Sequence, residues 1–475
     1  MMEFYDRSDE LKDIKSKYDE LSSGELCLIY GRRRLGKTVF IKRFMNQIKG
    51  KAVYYFVNKT NKKELLDLLS ASIFDQTGES EKFTEWEHFF EYLQKKATTE
   101  KFVFIMDEFS RLKEHSPDFL TKFQDSWDSK LSKTKIMFIA IGSSMSMMYD
   151  IFMDRTAPLY GRMTWKMLFK PFRYVDFRKM FSEIKEEKKI EIFSIFGGTP
   201  HFLWFAKKYA SEPLIGIIDK LVLSRTGPLR DEPNNFITME LKKETNYNSI
   251  LHAMAKTNGS REEILTQTGI DQKDIDYYFN NLSDLLCIMK KITPLFHDKG
   301  PKTRYKFDDN LFHFWYRFIF PNWSLIELGN TELLRKKISM DVNSFIGLRF
   351  EEIVMELLIL YNNKKLKNLQ LDFNEIGQWW GKNREGNPEE IDILANNSQS
   401  RKLIVCEVKW TDKKTTINCV KDLIEKSRLI NANGSMDYIV VSKSGFKEEC
   451  FNYMDEKGIT HLDLDEIADL FERIA

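Results

Sequence analysis

One stretch limits what this chain can fold into more than any other. Residues 26–47 read LCLIYGRRRLGKTVFIKRFMNQ, an apolar strand, a glycine-bounded loop and then an amphipathic helix. Within it Gly31, Gly36, Lys37 and Thr38 satisfy G-x-x-x-x-G-K-[ST], the spacing of a phosphate-binding P-loop. Glycines let the backbone curl until successive N–H groups point inward and form an anion-binding concavity. A helix starting near Lys37 aims its partial positive end at the same spot. On this reading the loop from Gly31 through Arg32, Arg33, Arg34 and Leu35 to Gly36 cradles the phosphates of ATP. Lys37 reaches the β- and γ-phosphates, and the Thr38 hydroxyl holds Mg²⁺. A fortuitous match is the alternative. Against it stand the buried-type strand Leu26–Tyr30 and the helical recurrence of Val39, Phe40, Phe44 and Ile48.

The spacing predicts a second strand over Lys51–Val57 and helices over Lys62–Ile73 and Phe83–Lys96. Lys101–Glu108 then reads KFVFIMDE, five apolar residues followed by Asp107 and Glu108. Asp107, at a strand's carboxyl end, would orient Mg²⁺ through water; Glu108 would polarise the water that attacks the γ-phosphate. Two acids also close plain strands, but after a P-loop, with helices between, the pattern reads as a Walker B strand. The next strand, KIMFIAIGSS (135–144), ends in Ser143 and Ser144, where ligand groups gather in an open α/β sheet. Ser143 or Ser144 is therefore a candidate γ-phosphate sensor, unless both serines cap the following helix. Arg162 sits in a Gly-Arg turn of APLYGRMTWKMLFKPF. It could stabilise charge on the transferred phosphoryl group or be a solvated surface arginine. Residues 174–209 are helical in pattern, broken at GGTPHFL (197–203), with a new helix opening at His201.

In this order GRRRLGKT, FIMDEFS, IGSSMSMM, PLYGR and GGTPHFL resemble the prokaryotic, mostly archaeal-type P-loop ATPases of the AAA+/STAND group. The resemblance implies an ATPase core, a helical lid and a winged helix. It assigns phosphate and Mg²⁺ binding to Lys37 and Thr38, the acidic pair to Asp107 and Glu108, the sensor to Ser143 and a finger-like arginine to Arg162. A helix over Asp9–Leu21, with Phe4 to Arg7 before it against adenine, suits the lead-in to such a core.

Length and composition bound the rest. A chain of 475 residues accommodates about three domains at ~150 residues each. Its 42% apolar content supports sizeable cores, and a net charge of only +2 means that any basic surface is local. Five scattered cysteines form no CxxC pair, and no run of 18 apolar residues or leader pattern occurs. A reduced, soluble, cytoplasmic protein without a membrane segment is the expectation.

Residues 247–307 fit a winged helix. SILHAMAKT and SREEILTQT, the latter capped by Ser260, precede a third helix over Asp271–Leu285 and two strands joined by a loop over Asp298–Lys302. The would-be recognition helix carries Asp271, Asp274 and Asp276 against Lys273, and so repels phosphates. The wing, with Lys299, Lys302, Arg304 and Lys306, is friendlier to DNA. Internal packing and DNA binding both stay open for this module. The aromatic run 308–322 reads as core.

The last part is a second α/β unit: a helix over Ser344–Leu360, then strands LKNLQLDF, EEIDILA, KLIVCEVKW and MDYIVVSK with helices after the third and fourth. Asp392, followed by Glu407-Val408-Lys409, resembles the D…ExK core of PD-(D/E)XK nucleases, with helical Glu351 as a fourth member. Glu407 and Lys409 share one strand face. Were Ala395 to pair with Lys402, Asp392 would oppose Val405 and join that face. Carboxylates so placed could bind Mg²⁺ and activate water against a phosphodiester, with Lys409 stabilising developing charge. A solvated hairpin edge is the plainer alternative. Ile391 stands where the motif has proline. Trp379 and Trp380 could stack bases, but core is the simpler role.

The resulting reading is an α/β protein: a P-loop NTPase (AAA+/ASCE) core over 1–165, a helical lid over 166–235, a winged helix over 236–325, and a restriction-endonuclease-like α/β domain over 326–475. It is expected to bind and hydrolyse ATP with Mg²⁺, as a switch whose nucleotide state governs a DNA-engaging C-terminal domain. A non-cleaving DNA-binding regulator and a scaffold that oligomerises with itself on ATP are the alternatives.

Overall fold

A computed structural model describes residues 7–48, 52–241, 243–296, 302–430 and 434–474. The expected adenine contact of Phe4 and most of the loop over Asp298–Lys302 lie outside the described residues. The chain divides into two compact units, Met1–Pro171 with Thr199–His201, and Phe172–Gly198 with Phe202–Ala475.

The first unit is built on five parallel strands: β1 (Glu25–Tyr30), β2 (Ala52–Phe56), β3 (Phe102–Asp107), β4 (Ile136–Gly142) and β5 (Trp165–Leu168), in the order β2-β3-β4-β1-β5. Helices cover both faces, which is why the central strands are apolar along their interiors rather than alternating. Leu26 and Leu28 of β1 enter one core with Phe104, Phe123 and Phe138. Cys27 and Ile29 point the other way, into a core with Phe40, Ile41 and Phe44. Phe40, Phe44 and Ile48 are thus the buried stripe of the helix Lys37–Gln47 and its end, whereas Val39 is 36% exposed and leaves that stripe. Parallel register sets Tyr30 beside Gly142 and Met106 beside Ala140. The P-loop, Asp107 and Ser143 therefore leave the sheet at the same carboxyl edge.

The second unit begins with the helices Tyr174–Met180 and Glu186–Phe196; the division between the units falls within the next helix, Pro200–Lys207, which Pro200 opens one residue ahead of expectation. Ser260 caps the helix Arg261–Thr268 in a reciprocal capping box with Glu263. The helix expected over 271–285 is regular only over Ile275–Asn280, then widens. The antiparallel pair β6 (Met289–Ile292) and β7 (Arg304–Phe307) follows. The aromatic run 310–319 is buried almost throughout, and Thr331–Leu360 forms one 30-residue helix.

Of the expected strand LKNLQLDF only the short β8 (Lys365–Leu366) and β9 (Leu369–Gln370) form, paired with each other. The sheet instead starts at β10 (Glu375–Lys382), unanticipated because EIGQWWGK carries two glycines and no clean alternation. With β11 (Pro388–Asn397), β12 (Lys402–Lys409), β13 (Ser435–Ser442) and β14 (Thr460–Leu462) it makes a mixed sheet in sequence order. Trp379 and Trp380 are β10 residues, 7% and 8% exposed, and so packed. The β11–β12 register also differs from expectation: Ala395 pairs with Ile404, and Asn397 with Lys402. The turn is tighter by one pair because Asn397 Oδ1 accepts from the amides of Gln399 and Ser400, closing it locally. Carried one pair further, the register sets Asp392 opposite Glu407 rather than Val405. Among the described residues no helix is long and apolar enough to cross a membrane.

Candidate functional site

Glycine is needed at two points of the P-loop. Gly31 has φ +149°, and a Cβ there would sit 2.6 Å from the Phe169 carbonyl oxygen. Gly36, at φ +89°, turns the chain into the helix Lys37–Gln47. Arg34, also left-handed at φ 70°, is a non-glycine residue held in a costly conformation. The Lys37 side chain is buried, and Nζ donates to the carbonyls of Gly31 at 2.6 Å and Arg32 at 2.8 Å. It thus lies folded within the curl that Gly31 and Arg32 begin. Leu35 is buried beneath the same loop, and Arg33 is exposed above it.

Asp107 and Thr38, from strand end and helix start, meet directly. Thr38 Oγ1 donates to Asp107 Oδ2 at 3.0 Å, and Tyr54 Oη donates to the same oxygen at 2.7 Å. Asp107 Oδ1 accepts from the Glu108 amide at 2.8 Å. The carboxylate is fixed from three sides, with the Thr38 oxygen beside it. This is the pair that would hold Mg²⁺. Glu108 adopts φ 56°, and its carboxylate lies 3.6 Å from Arg111 Nε. Arg111 is tied in turn to the Val57 carbonyl at 2.7 Å. Ser143 is buried at the end of β4, on the same edge.

Arg162 is not part of this arrangement. Thr164 N bonds the Leu26 carbonyl and Trp165 pairs with Cys27, so Arg162 precedes β5 at the amino end of β1, across the sheet from the P-loop. Its guanidinium grips Asp128, Nε to Oδ1 at 2.8 Å and Nη2 to Oδ2 at 2.6 Å. Within one chain it therefore cannot touch the phosphates.

Tyr54 and Arg111 escaped the sequence reading. Tyr54 lies in the strand text KAVYYFV, and only parallel pairing with Ile105 sets it two residues from Asp107 on one face. Burial, with the Asp107 hydrogen bond next, pushes its phenol up and keeps it a donor. His201, expected only as a helix start, belongs to the first unit. Burial and then the Arg34 charge hold its imidazole below the usual value.

A second cluster forms in the other unit. Asp392 Oδ2 accepts from the Val408 amide at 2.8 Å, and Lys409 bonds Glu407 Oε1. Glu407 is 5% exposed, yet its Oε2 has no hydrogen-bond partner. A buried, unbonded carboxylate oxygen is costly and suits a cation's ligand. Burial, then the Glu407 charge, raises Asp392 to about 6. Burial and the nearby Asp392 charge hold Glu351 well above the ordinary carboxylate range. Its sequence neighbour Glu352 behaves oppositely: against the cost of burial, Lys290 at 2.8 Å and Arg349 at 2.8 Å hold it low. Even so, among the described residues no three His, Cys, Asp or Glu side chains are gathered as one metal ion would need. Glu351, Asp392 and Glu407 are neighbours without closing on a point. Arg304 and Lys306, expected as phosphate-facing wing residues, are engaged instead by Glu390 and Gln378.

Residues 4–204 match the model of an ATPase domain predominantly from Archaea, and residues 315–420 match that of archaeal and bacterial proteins of unknown function. The chain is 33% identical over 443 residues to the uncharacterized protein MJECL04 of Methanocaldococcus jannaschii, covering 92% of this chain and 95% of that protein. A 53-residue segment is 40% identical to the uncharacterized ATP-binding protein MJ0423 of the same organism, spanning 11% of this chain and 88% of that one. Among solved structures, the Walker-type ATPase PABY2304 of Pyrococcus abyssi overlaps 66% of this chain and 96% of its own, with TM-score 0.48 and 18% identity. Cdc6p of Pyrobaculum aerophilum overlaps 70% and 94%, with TM-score 0.34 and 11% identity. Near-complete coverage by MJECL04 settles the kinship: this chain belongs to the same family, and its N-terminal part is an ATPase domain of the kind found predominantly in Archaea.

Proposed function

We propose that the protein is an ATP-hydrolysing switch whose nucleotide state governs a nuclease-like, DNA-engaging C-terminal domain. The observation that carries this reading is the coexistence, in one chain, of a P-loop site and a carboxylate–lysine cluster with a buried unbonded oxygen on Glu407. The proposed divisions are an ATPase core over 1–165, a lid over 166–235, a winged helix over 236–325 and the nuclease-like domain over 326–475.

In the first site the residues have separable tasks. Lys37 exchanges the carbonyls of Gly31 and Arg32 for the β- and γ-phosphate oxygens, trading neutral acceptors for charged ones. Thr38 would hold Mg²⁺ and Asp107 would orient it through water, and the ion would supply charge neutralisation at the phosphates. Glu108 orients the attacking water, and Ser143 reports the γ-phosphate. In the second site Asp392, Glu407 and Glu351 are not gathered for one ion as they stand; closed together they would hold a divalent cation, which when bound would supply Lewis acidity toward a phosphodiester. Lys409 steadies the negative charge that develops there.

The test is cleavage of plasmid DNA with Mg²⁺ or Mn²⁺, with and without ATP, beside Asp392→Ala. Cleavage lost in the variant and altered by ATP supports the proposal. A second reading, a DNA-binding regulator or self-assembling scaffold without cleavage, draws on the acids not being gathered for one ion. It prevails if ATP is hydrolysed and no DNA is cut.

A further inference from the structure

The turn after β3 fixes Glu108 by its main chain as well as by its side chain. Its amide donates to Asp107 Oδ1 at 2.8 Å, and its carbonyl accepts from the Arg111 amide at 3.0 Å. Between these ties Glu108 sits at φ 56°, a left-handed conformation that a non-glycine residue keeps only where its surroundings enforce it. Phe109, the next residue, is fully buried against Phe119, Phe138 and Phe152, which anchors the turn in the core. One turn on, the chain brings Arg111 back to Glu108, with Nε 3.6 Å from a carboxylate oxygen.

Arg111 is itself braced elsewhere. Its Nη1 donates to the Val57 carbonyl at 2.7 Å, and the guanidinium lies 4.8 Å from the centre of the Phe56 ring. Phe56 ends β2 and pairs with Asp107, and the Val57 amide donates to the Asp107 carbonyl at 2.9 Å. The end of β2 therefore serves both acids: Tyr54 holds Asp107 directly, while Phe56 and Val57 hold the arginine that faces Glu108. A guanidinium suits this post because its rigid fork presents Nη1 to the carbonyl and Nε to the carboxylate at once, and it stays charged. The Arg111 and Glu108 side chains are 20% and 17% exposed, so water and salt screen the pair less than they would on the surface. At 3.6 Å the contact is an ion pair and not a full hydrogen bond. It orients the carboxylate and leaves lone pairs to accept from a water.

We propose that Arg111 is a positioning residue for ATP hydrolysis: braced on the end of β2, it holds the Glu108 carboxylate in the orientation that lines up the attacking water. It acts through Glu108 and takes no part in holding the nucleotide. The inference rests on the reading of Glu108 as the group that orients that water. Hydrolysis then has a support set by β2 rather than by the P-loop.

The test measures ATP hydrolysis by the full chain with Mg²⁺, and calorimetric ATP binding beside it, in Arg111→Gln, Arg111→Lys, Glu108→Gln and the double variant Arg111→Gln/Glu108→Gln. Misplacing a reacting group by about an ångström costs on the order of 100-fold, so Arg111→Gln should lower kcat about 10- to 100-fold with ATP affinity unmoved. Arg111→Lys, which keeps the charge but not the fork, should recover part of that loss. With Glu108 already replaced, Arg111→Gln should cost nothing further, because residues that act as one unit are not additive. An equal further loss in the double variant, or a fall in ATP affinity that matches the fall in turnover, overturns the proposal and leaves Arg111 a structural support. Full turnover in Arg111→Gln beside a slow Glu108→Gln overturns it as well, with the Glu108 reading intact. Full turnover in Glu108→Gln overturns the Glu108 reading, and the role of Arg111 with it.

Discussion

The two sites use similar parts, an acid pair, a lysine and a strand end, and differ in what holds them when they are at rest. At the P-loop, Lys37 rests on main-chain carbonyls and Asp107 on hydroxyls of Thr38 and Tyr54. The partners named are neutral, so exchanging them for a phosphate or cation breaks no ion pair among them. In the acidic cluster, charge is held by charge: Lys409 by Glu407, and Lys290 and Arg349 by Glu352. A site of the first kind opens to its ligand by exchanging hydrogen bonds. A site of the second kind must break ion pairs before another cation can enter.

That contrast can be broken or sharpened by substitution, beginning with the largest effect. Glu108→Gln should leave ATP binding intact and slow hydrolysis by ~10²–10⁴, the usual worth of a positioned base; unchanged turnover would move the role elsewhere. Lys37→Ala removes charge-assisted bonds to phosphate worth ~3 kcal/mol, so calorimetric affinity for ATP should fall about 100-fold. Normal affinity there would sink the P-loop assignment. Tyr54→Phe deletes one neutral donor to Asp107, worth ~1 kcal/mol, and should raise the Mg²⁺ needed for half-maximal hydrolysis about fivefold with ATP affinity unmoved. An equal loss of ATP affinity would instead mean that Tyr54 merely supports the sheet.

The smallest effect is one of pH. Asp392 titrates at about 6 in the fold, above its unfolded value near 3.9. The folded state therefore binds this proton more tightly, and its loss above pH 6 costs stability that is not lost below pH 4. In metal-free buffer Asp392→Asn should be more stable than wild type by on the order of 1 kcal/mol above pH 6, the gain fading as pH falls toward 4. A gain independent of pH would show that the carboxylate is not under charge pressure.

What the sequence by itself determined is local. Glycine at 31 and 36, the lysine and threonine after them, and apolar runs ending in Asp107 and in Ser143 specify strand ends and a phosphate loop from adjacent residues alone. Capping at Ser260 is equally legible, because both partners lie within one helical turn. What only the tertiary structure decided involves residues far apart. Arg162 reads like a finger until parallel pairing sets it at the wrong end of β1, and Tyr54 reads like plain strand until the same pairing brings it to Asp107. The face of Asp392 follows from the two-residue period of a strand, but its partner depends on a turn that Asn397 closes one pair tighter. The tie of Lys306 to Gln378 has no local signal at all. It depends on a hairpin meeting a sheet edge, and contacts of that kind are chosen by packing after the strands have formed.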